Sequence, residues 1–307
     1  MANWLLKAAV QKTISYLPFK ERVNFFFQKY ITRGVDLTDE HFGYKLDAAR
    51  DHVRYFRKYG QTPAAQARVL ELGTGWYPIV PAALFLVGFE RIVSVDIRNW
   101  MTAERQVIAL RKLLAYHDDG RLATYLPGVL TDRLTVLREL CKTPESLTVD
   151  QISSRIRLDA RVMDATRLDF PDDHFDLICS NNTFEHVYPK VLARILGEFK
   201  RVVKPNGVMS HFVDLSDHFA HLDSSINIYN FLRFSHRQWA MLDNSIQPQN
   251  RLRWPDYLAM YAALGIPVRE QEVRPGNLAN LRSVPVHADI GPYPDEELAI
   301  SHGYLVS

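Results

Sequence analysis

Past residue 68 the apolar positions fall into short dense runs separated by stretches with helical spacing. "RVLELG" at 68–73, "RIVSVD" at 91–96 and "HFDLICSN" at 174–181 read as buried strands. "RVMDA" at 161–165 reads as a third, short strand in chain order, and "GVMSHFVD" at 207–214 as a fifth. "PVREQEVR" at 267–274 and "LAISHGYLV" at 298–306 are the last two candidates. Between the strands, "PAALFLVG" at 81–88 fits a helix. "KVLARILGEFKRVVK" at 190–204 carries Val191, Ile195, Phe199 and Val203 at four-residue spacing, which predicts an amphipathic crossover helix stopped by Pro205-Asn206-Gly207. Strands alternating with helices predict an α/β fold with a mostly parallel sheet.

The first sixty residues read differently. Trp4, Leu5, Ala8, Val10 and Ile14 form one apolar stripe, Pro18 breaks it, and an aromatic-rich face with Phe25, Phe26, Phe27 and Tyr30 follows. A third helical stretch covers about 46–59 and ends at Gly60. Residues 1–60 are therefore expected to form a helical cap on a domain of 61–307. That domain carries a helical insertion at about 101–149 and an irregular segment at about 214–253. Lys7, Lys12, Lys20, Glu21 and Arg22 interrupt the apolar face too often for a membrane anchor. The longest apolar run, 78–89, is too short to span a bilayer, and nothing resembles a signal peptide, so a cytoplasmic protein is expected. A formal charge of +2 and the absence of a basic aromatic stripe argue against nucleic acid as a partner. Two cysteines, Cys141 and Cys179, exclude a disulfide framework.

The candidate chemistry begins at "VLELGTGWYPIV", 69–80. A strand that ends in Gly-x-Gly and opens a helix lets the backbone approach a ligand closely. A dinucleotide site would place a third glycine at Pro78, where the imino nitrogen has no N–H for a phosphate. No Gly-Lys-Ser/Thr follows, which excludes a phosphate-binding loop of that kind. The turn suits a nucleoside without phosphates. "VLELGTG", "IVSVDI", "VMDATRLDFPDDHFDLICSNNTFEHV" and "FKRVVKPNGV" resemble the successive motifs of class I S-adenosylmethionine-dependent methyltransferases, most closely the bacterial type 11 group. The resemblance spans about 68–213. It implies a Rossmann-like, mostly parallel seven-stranded sheet with helices on both faces. It also implies S-adenosylmethionine as cofactor, with Glu71, Gly73, Thr74 and Gly75 under its methionine part. Asp96 and Ile97 would meet the ribose side, Asp164 and Ala165 the adenine, and Asn181 the amino acid end.

A second cluster follows the fifth strand, where ligands of open α/β sheets bind. "SHFVDLSDHFAHLD", 210–223, holds three of the chain's eleven histidines. His218 is the first candidate for a general base toward an acceptor hydroxyl, with Asp214 and Asp217 close enough in sequence to orient it and His211 and His186 in reserve. Asp214, Asp217 and His218 could instead hold a divalent metal, or Asp217 could simply cap a helix that carries His218 and His221. Glu185-His186 either fixes the loop after the fourth strand or faces the acceptor. The expected function is methylation of a small molecule at a hydroxyl oxygen, sugar-like or polyketide-like. A non-catalytic cofactor-binding scaffold and an enzyme acting on a lipid-linked acceptor at the membrane surface are the rivals.

Overall fold

In the computed structural model of the chain, the described residues are 4–17, 37–143, 147–221, 223–245 and 247–307. Seven strands follow in chain order: β1 (Arg68–Leu72), β2 (Arg91–Asp96), β3 (Leu158–Val162), β4 (Phe175–Asn181), β5 (Val203–Asp214), β6 (Glu270–Arg274) and β7 (His302–Val306). They form one sheet in the order β3-β2-β1-β4-β5-β7-β6. β1 pairs in parallel with β2 and β4, and β2 in parallel with β3. Met209 and Ser307 exchange both backbone hydrogen bonds at 2.9 Å, the mark of an antiparallel pair. The mostly parallel, Rossmann-like sheet expected from the sequence is therefore present.

The chain divides into two compact units, one of Leu37–Asn181, Arg194–His211 and Val306–Ser307, the other of Met1–Asp36, Asn182–Ala193 and Phe212–Leu305. This division departs from a cap of 1–60 on a single domain of 61–307. The helix Asp39–Tyr59 belongs with the parallel strands, because Phe42, Leu46, Ala49, Val53 and Phe56 give it a continuous apolar face. Phe56 meets Phe89 at 5.0 Å between ring centroids, and Thr38 Oγ1 accepts from His41 N at 3.1 Å to cap the helix start. Phe19, Phe25, Phe26, Phe27 and Tyr30 lie outside the described residues.

Between β2 and β3 the chain forms helices at Ala103–Asp118, Leu122–Tyr125, Thr131–Leu140 and Val149–Arg155. β3 starts at Leu158, three residues before the expected "RVMDA". It is an edge strand, so charged side chains stand along it: Asp159 Oδ2 takes Arg91 Nη2 at 3.0 Å and Arg161 Nη2 at 2.8 Å. Asp164 consequently falls in the turn after the strand.

In the second unit the Trp4–Ser15 helix packs on the segment that follows β5. Trp4 N donates to Asp223 Oδ2 at 2.9 Å, and its ring lies 5.8 Å from Phe219 and 5.9 Å from Phe234. Tyr229, Phe231, Leu232, Trp239 and Leu298 complete this core. Arg253 is fully buried, yet among the described residues no carboxylate forms an ion pair with it. Its guanidinium donates instead to the carbonyls of Leu215 at 2.7 Å, Leu298 at 2.6 Å and Ile300 at 2.5 Å. Burial pushes its pKa down to about 10, so it stays charged at neutral pH. Five donors in a fixed fork suit three converging carbonyls. Arg253→Met should leave those carbonyls buried and unbonded, at about 1–3 kcal/mol each. Urea unfolding followed by tryptophan fluorescence should show a loss of at least about 3 kcal/mol. A midpoint equal to that of the wild type would show that water replaces the guanidinium without cost.

Candidate functional site

β1 delivers Glu71 into the interior of its unit, and the turn that follows places Gly73 at φ 79° and Gly75 at φ 73°. A Cβ added at Gly75 would meet nothing within 4 Å, so its absence leaves open space above the turn. The Thr74 hydroxyl turns the other way, donating to Glu71 Oε2 and meeting Ser94 Oγ of β2. Burial pushes the Glu71 carboxyl up to about 7, against the hydrogen bond from Thr74 and the charge of Lys45, which lower it, while Asp96 adds to the rise. Lys45, on the Asp39–Tyr59 helix, was not singled out by sequence reasoning. Only the packing of that helix brings its charge to this carboxylate.

Asp96 ends β2 half-buried, and Arg98 N donates to its Oδ1 at 3.2 Å. Burial raises its pKa, and backbone donors from Arg98, Gly75 and Ile97 oppose that rise. The carboxylate thus ties the Gly-x-Gly turn to the end of β2. Ile97 is 65% exposed beside it, an apolar face that a bound ring would cover. Trp76 departs from the turn to pack against Trp100 with the rings tilted at 48° and centroids 4.3 Å apart, and the Arg105 guanidinium lies 4.5 Å from Trp76. Pro78 is the N-cap of the helix Ile79–Leu86. Asp164 is exposed and accepts from Thr166 N at 2.9 Å, Ala165 is buried behind it, and Asn181 is buried at the end of β4. An open glycine turn, a strand-end carboxylate and an exposed aliphatic face fit a nucleoside with a small charged tail.

Of the proposed catalytic residues, His211 is corrected. It is fully buried on β5, stacked on Phe199 at 5.5 Å and bonded to Ser180 Oγ at 2.8 Å. Burial holds its pKa well below 6.5, which makes it a neutral core histidine. His52 behaves alike, bonded to Ser210 Oγ at 2.8 Å and pushed down to about 3 by burial.

The second unit gathers the others. Asp214 Oδ1 accepts from Ser216 N at 2.8 Å and lies 3.3 Å from His302 Nε2, while its Oδ2 lies 3.3 Å from His218 Nε2. Burial alone would raise its pKa; the two histidines overcome that and hold it well below the carboxylate range. His302, on β7, was missed in the sequence, since a lone histidine at a strand start carries no signal. Asp217 is corrected as a metal candidate: its carboxylate accepts from Phe219 N at 2.9 Å and Asn230 Nδ2 at 3.1 Å, capping the short 3₁₀ turn His218–His221. The group that does converge among the described residues is Glu185, His186 and His218, each with a donor atom within 4.8 Å of the others. Lys7 and Gln11 of the N-terminal helix line a small cavity with His218 and Gln249.

Residues 129–210 match the Methyltransferase domain family, a stretch that contains β3, β4 and most of β5. The chain is similar to that family over this stretch. Its Gly-x-Gly turn and Asp96 lie ahead of the matched residues. A search of curated proteins finds no significant match. Among solved structures, a Pyrococcus horikoshii protein is 20% identical over 62% of this chain, at a TM-score of 0.37. This chain spans 66% of that protein's length. A Haloferax volcanii putative methyltransferase, solved with the activator Trm112, is 17% identical over 91% of this chain and 94% of its own, at a TM-score of 0.45. The Burkholderia thailandensis 1,6-didemethyltoxoflavin-N1-methyltransferase, solved with S-adenosylhomocysteine, is 14% identical over 100% of this chain and 90% of its own, at 0.46. No helix of the described residues is long and apolar enough to cross a membrane.

The unit that holds the parallel strands carries a pH signature in Glu71. Between pH 4.5 and about 7 the folded protein keeps the proton that the unfolded chain releases, so this group's stabilisation is complete below 4.5 and is lost as pH rises through 7. Glu71→Gln should flatten the stability profile over that window. Superimposable wild-type and variant profiles in thermal melts without ligand would show that Glu71 titrates normally.

Proposed function

We propose that this methyltransferase uses S-adenosylmethionine to methylate a hydroxyl oxygen of a small molecule, sugar-like or polyketide-like. The observation that carries the cofactor assignment is the open turn at Gly75 tied to a half-buried Asp96. When bound, S-adenosylmethionine supplies a methyl group already activated by a sulfonium. The chain's own residues bind, orient and exclude water. Glu71, Gly73, Thr74 and Gly75 form the floor, Asp96 accepts from the ribose hydroxyls, and Ile97, Asp164, Ala165 and Asn181 border the rest. Ionised acceptors at a strand end suit a vicinal diol.

A hydroxyl acceptor must lose its proton, and an alcohol is too weak an acid to ionise unaided at neutral pH. Two devices fit the side chains at hand: proton transfer to His218 held by Asp214, with His186 alongside, or coordination of the oxygen to a cation. The reading of a small polar acceptor is supported by the histidines and amides around His218. A cytoplasmic location goes with that reading.

Asp96→Ala should weaken S-adenosylmethionine binding by about 1.5–3 kcal/mol, the range for hydrogen bonds to a charged group. Calorimetry on a folded variant with unchanged affinity would remove Asp96 from the site. His218→Ala should lower turnover by about two to four orders of magnitude while cofactor affinity holds. The readout is release of S-adenosylhomocysteine across a panel of hydroxylated acceptors, and wild-type turnover would leave His218 a bystander.

A further inference from the structure

We propose that Glu185, His186 and His218 bind one divalent transition-metal ion. Their donor atoms lie within 4.8 Å of one another, and the two imidazole rings stand edge to face at 4.9 Å between centroids. Direct ligation at about 2.0–2.2 Å would draw the donors in by about 1 Å, which side-chain rotation supplies. Glu185 is 1% exposed, so its carboxylate is already stripped of water where the imidazoles converge.

The His186 ring is set by an acceptor, as ligating histidines usually are, and the His218 ring stands beside a carboxylate. His186 Nδ1 faces the carbonyl of Pro248 at 2.8 Å, and His218 Nε2 faces Asp214 Oδ2 at 3.3 Å. A carbonyl can only accept, so Pro248 draws the proton of His186 to Nδ1 and leaves the lone pair on Nε2. The backbone of both loops is fixed from one place. Asn250 N donates to Glu185 O at 2.8 Å, and His218 N donates to Gln249 Oε1 at 3.3 Å. The ligand set is therefore held before any ion arrives.

Two imidazoles with one carboxylate select borderline ions such as Zn²⁺, Mn²⁺, Fe²⁺ or Co²⁺ over Mg²⁺ and Ca²⁺, which prefer all-oxygen shells. Three protein ligands leave at least one position for water or an acceptor oxygen, where the ion lowers the pKa of a bound hydroxyl. That use of the ion rests on the methyl-transfer reading; its binding does not.

The test is titration of the full chain with Co²⁺ alone, without S-adenosylmethionine or acceptor. One equivalent should bind and develop visible d–d bands. Glu185→Gln and His186→Ala should abolish the bands, Asp214→Asn should weaken binding by about 10–100-fold, and His221→Ala should leave it intact. Circular dichroism melts verify that each variant is folded. Zinc-edge X-ray absorption of the wild-type protein needs no variant and should count two imidazoles with oxygen in the remaining positions. No binding at millimolar Co²⁺, a shell containing sulfur, or equal binding by folded Glu185→Gln would overturn the proposal. The cofactor calorimetry stands apart, so failure here leaves the methyl-transfer reading untouched, and the reverse also holds.

Discussion

The turns that carry Glu185, His186 and His218 are too short to satisfy their own backbones, and residues 248–250 supply what they lack. Asn250 Nδ2 donates to the carbonyls of Phe184 and Val187, both at 2.8 Å. Gln249 Nε2 donates to Ser216 O at 2.5 Å, and the indole of Trp239 donates to Gln249 O at 3.0 Å. A side-chain amide offers two donors and an acceptor without a charge, so it can bridge buried carbonyls without the desolvation penalty of an ion. Were either residue a carboxylate, it would set a negative charge against carbonyl oxygens. The loops hold their form because a third segment satisfies them, and three residues further on Arg253 does the same for the carbonyls of Leu215, Leu298 and Ile300.

The centre of the fold was legible because parallel strands buried on both faces are written in near-continuous apolar residues. β2 has the bounds that its run of apolar residues predicts, and β4 lacks only the His174 of its predicted run. β3 was misplaced since an edge strand need not be apolar: "LDARV" alternates, and its Asp159 pairs across to Arg91. The division of the N-terminal helices between two units was not legible. An apolar stripe says that a helix is covered on one side, and it does not say by which partner.

The same distinction runs through the site. Gly73 and Gly75 could be placed in a turn and Asp96 at a strand end from the sequence, because backbone conformation and strand ends are local properties. Which way a strand residue points is also local, but which face is covered is not. His211 and Asp214, both on β5, thus fared differently: one is sealed against Phe199 and the other reaches two histidines. Glu185 and His218 are 33 positions apart and belong to separate loops, so their convergence is a product of the residues 248–250 that hold both. Proximity in sequence had instead favoured Asp217, which spends its carboxylate on the turn beside it.

Two buried carboxylates show how environment assigns roles that residue type does not. Glu71 accepts from the Thr74 hydroxyl, which cannot neutralise a charge, and the charge of Lys45 does not outweigh burial, so its pKa rises to about 7. Asp214 meets His218 and His302, which can carry the compensating charge, and its pKa falls despite equal seclusion. At neutral pH Asp214 is therefore a fixed anion that orients imidazoles, whereas Glu71 is poised between forms. A cation bound against Glu71 stabilises the ionised form and lowers the cost of burying it, so ligand charge and the protonation of this floor are thermodynamically coupled. A sulfonium cofactor brings such a charge, and its neutral product, having lost the methyl group, brings less. The asymmetry between Glu71 and Asp214 is therefore one of environment: the first responds to a charge placed beside it, and the second keeps its own charge beside His218 and His302.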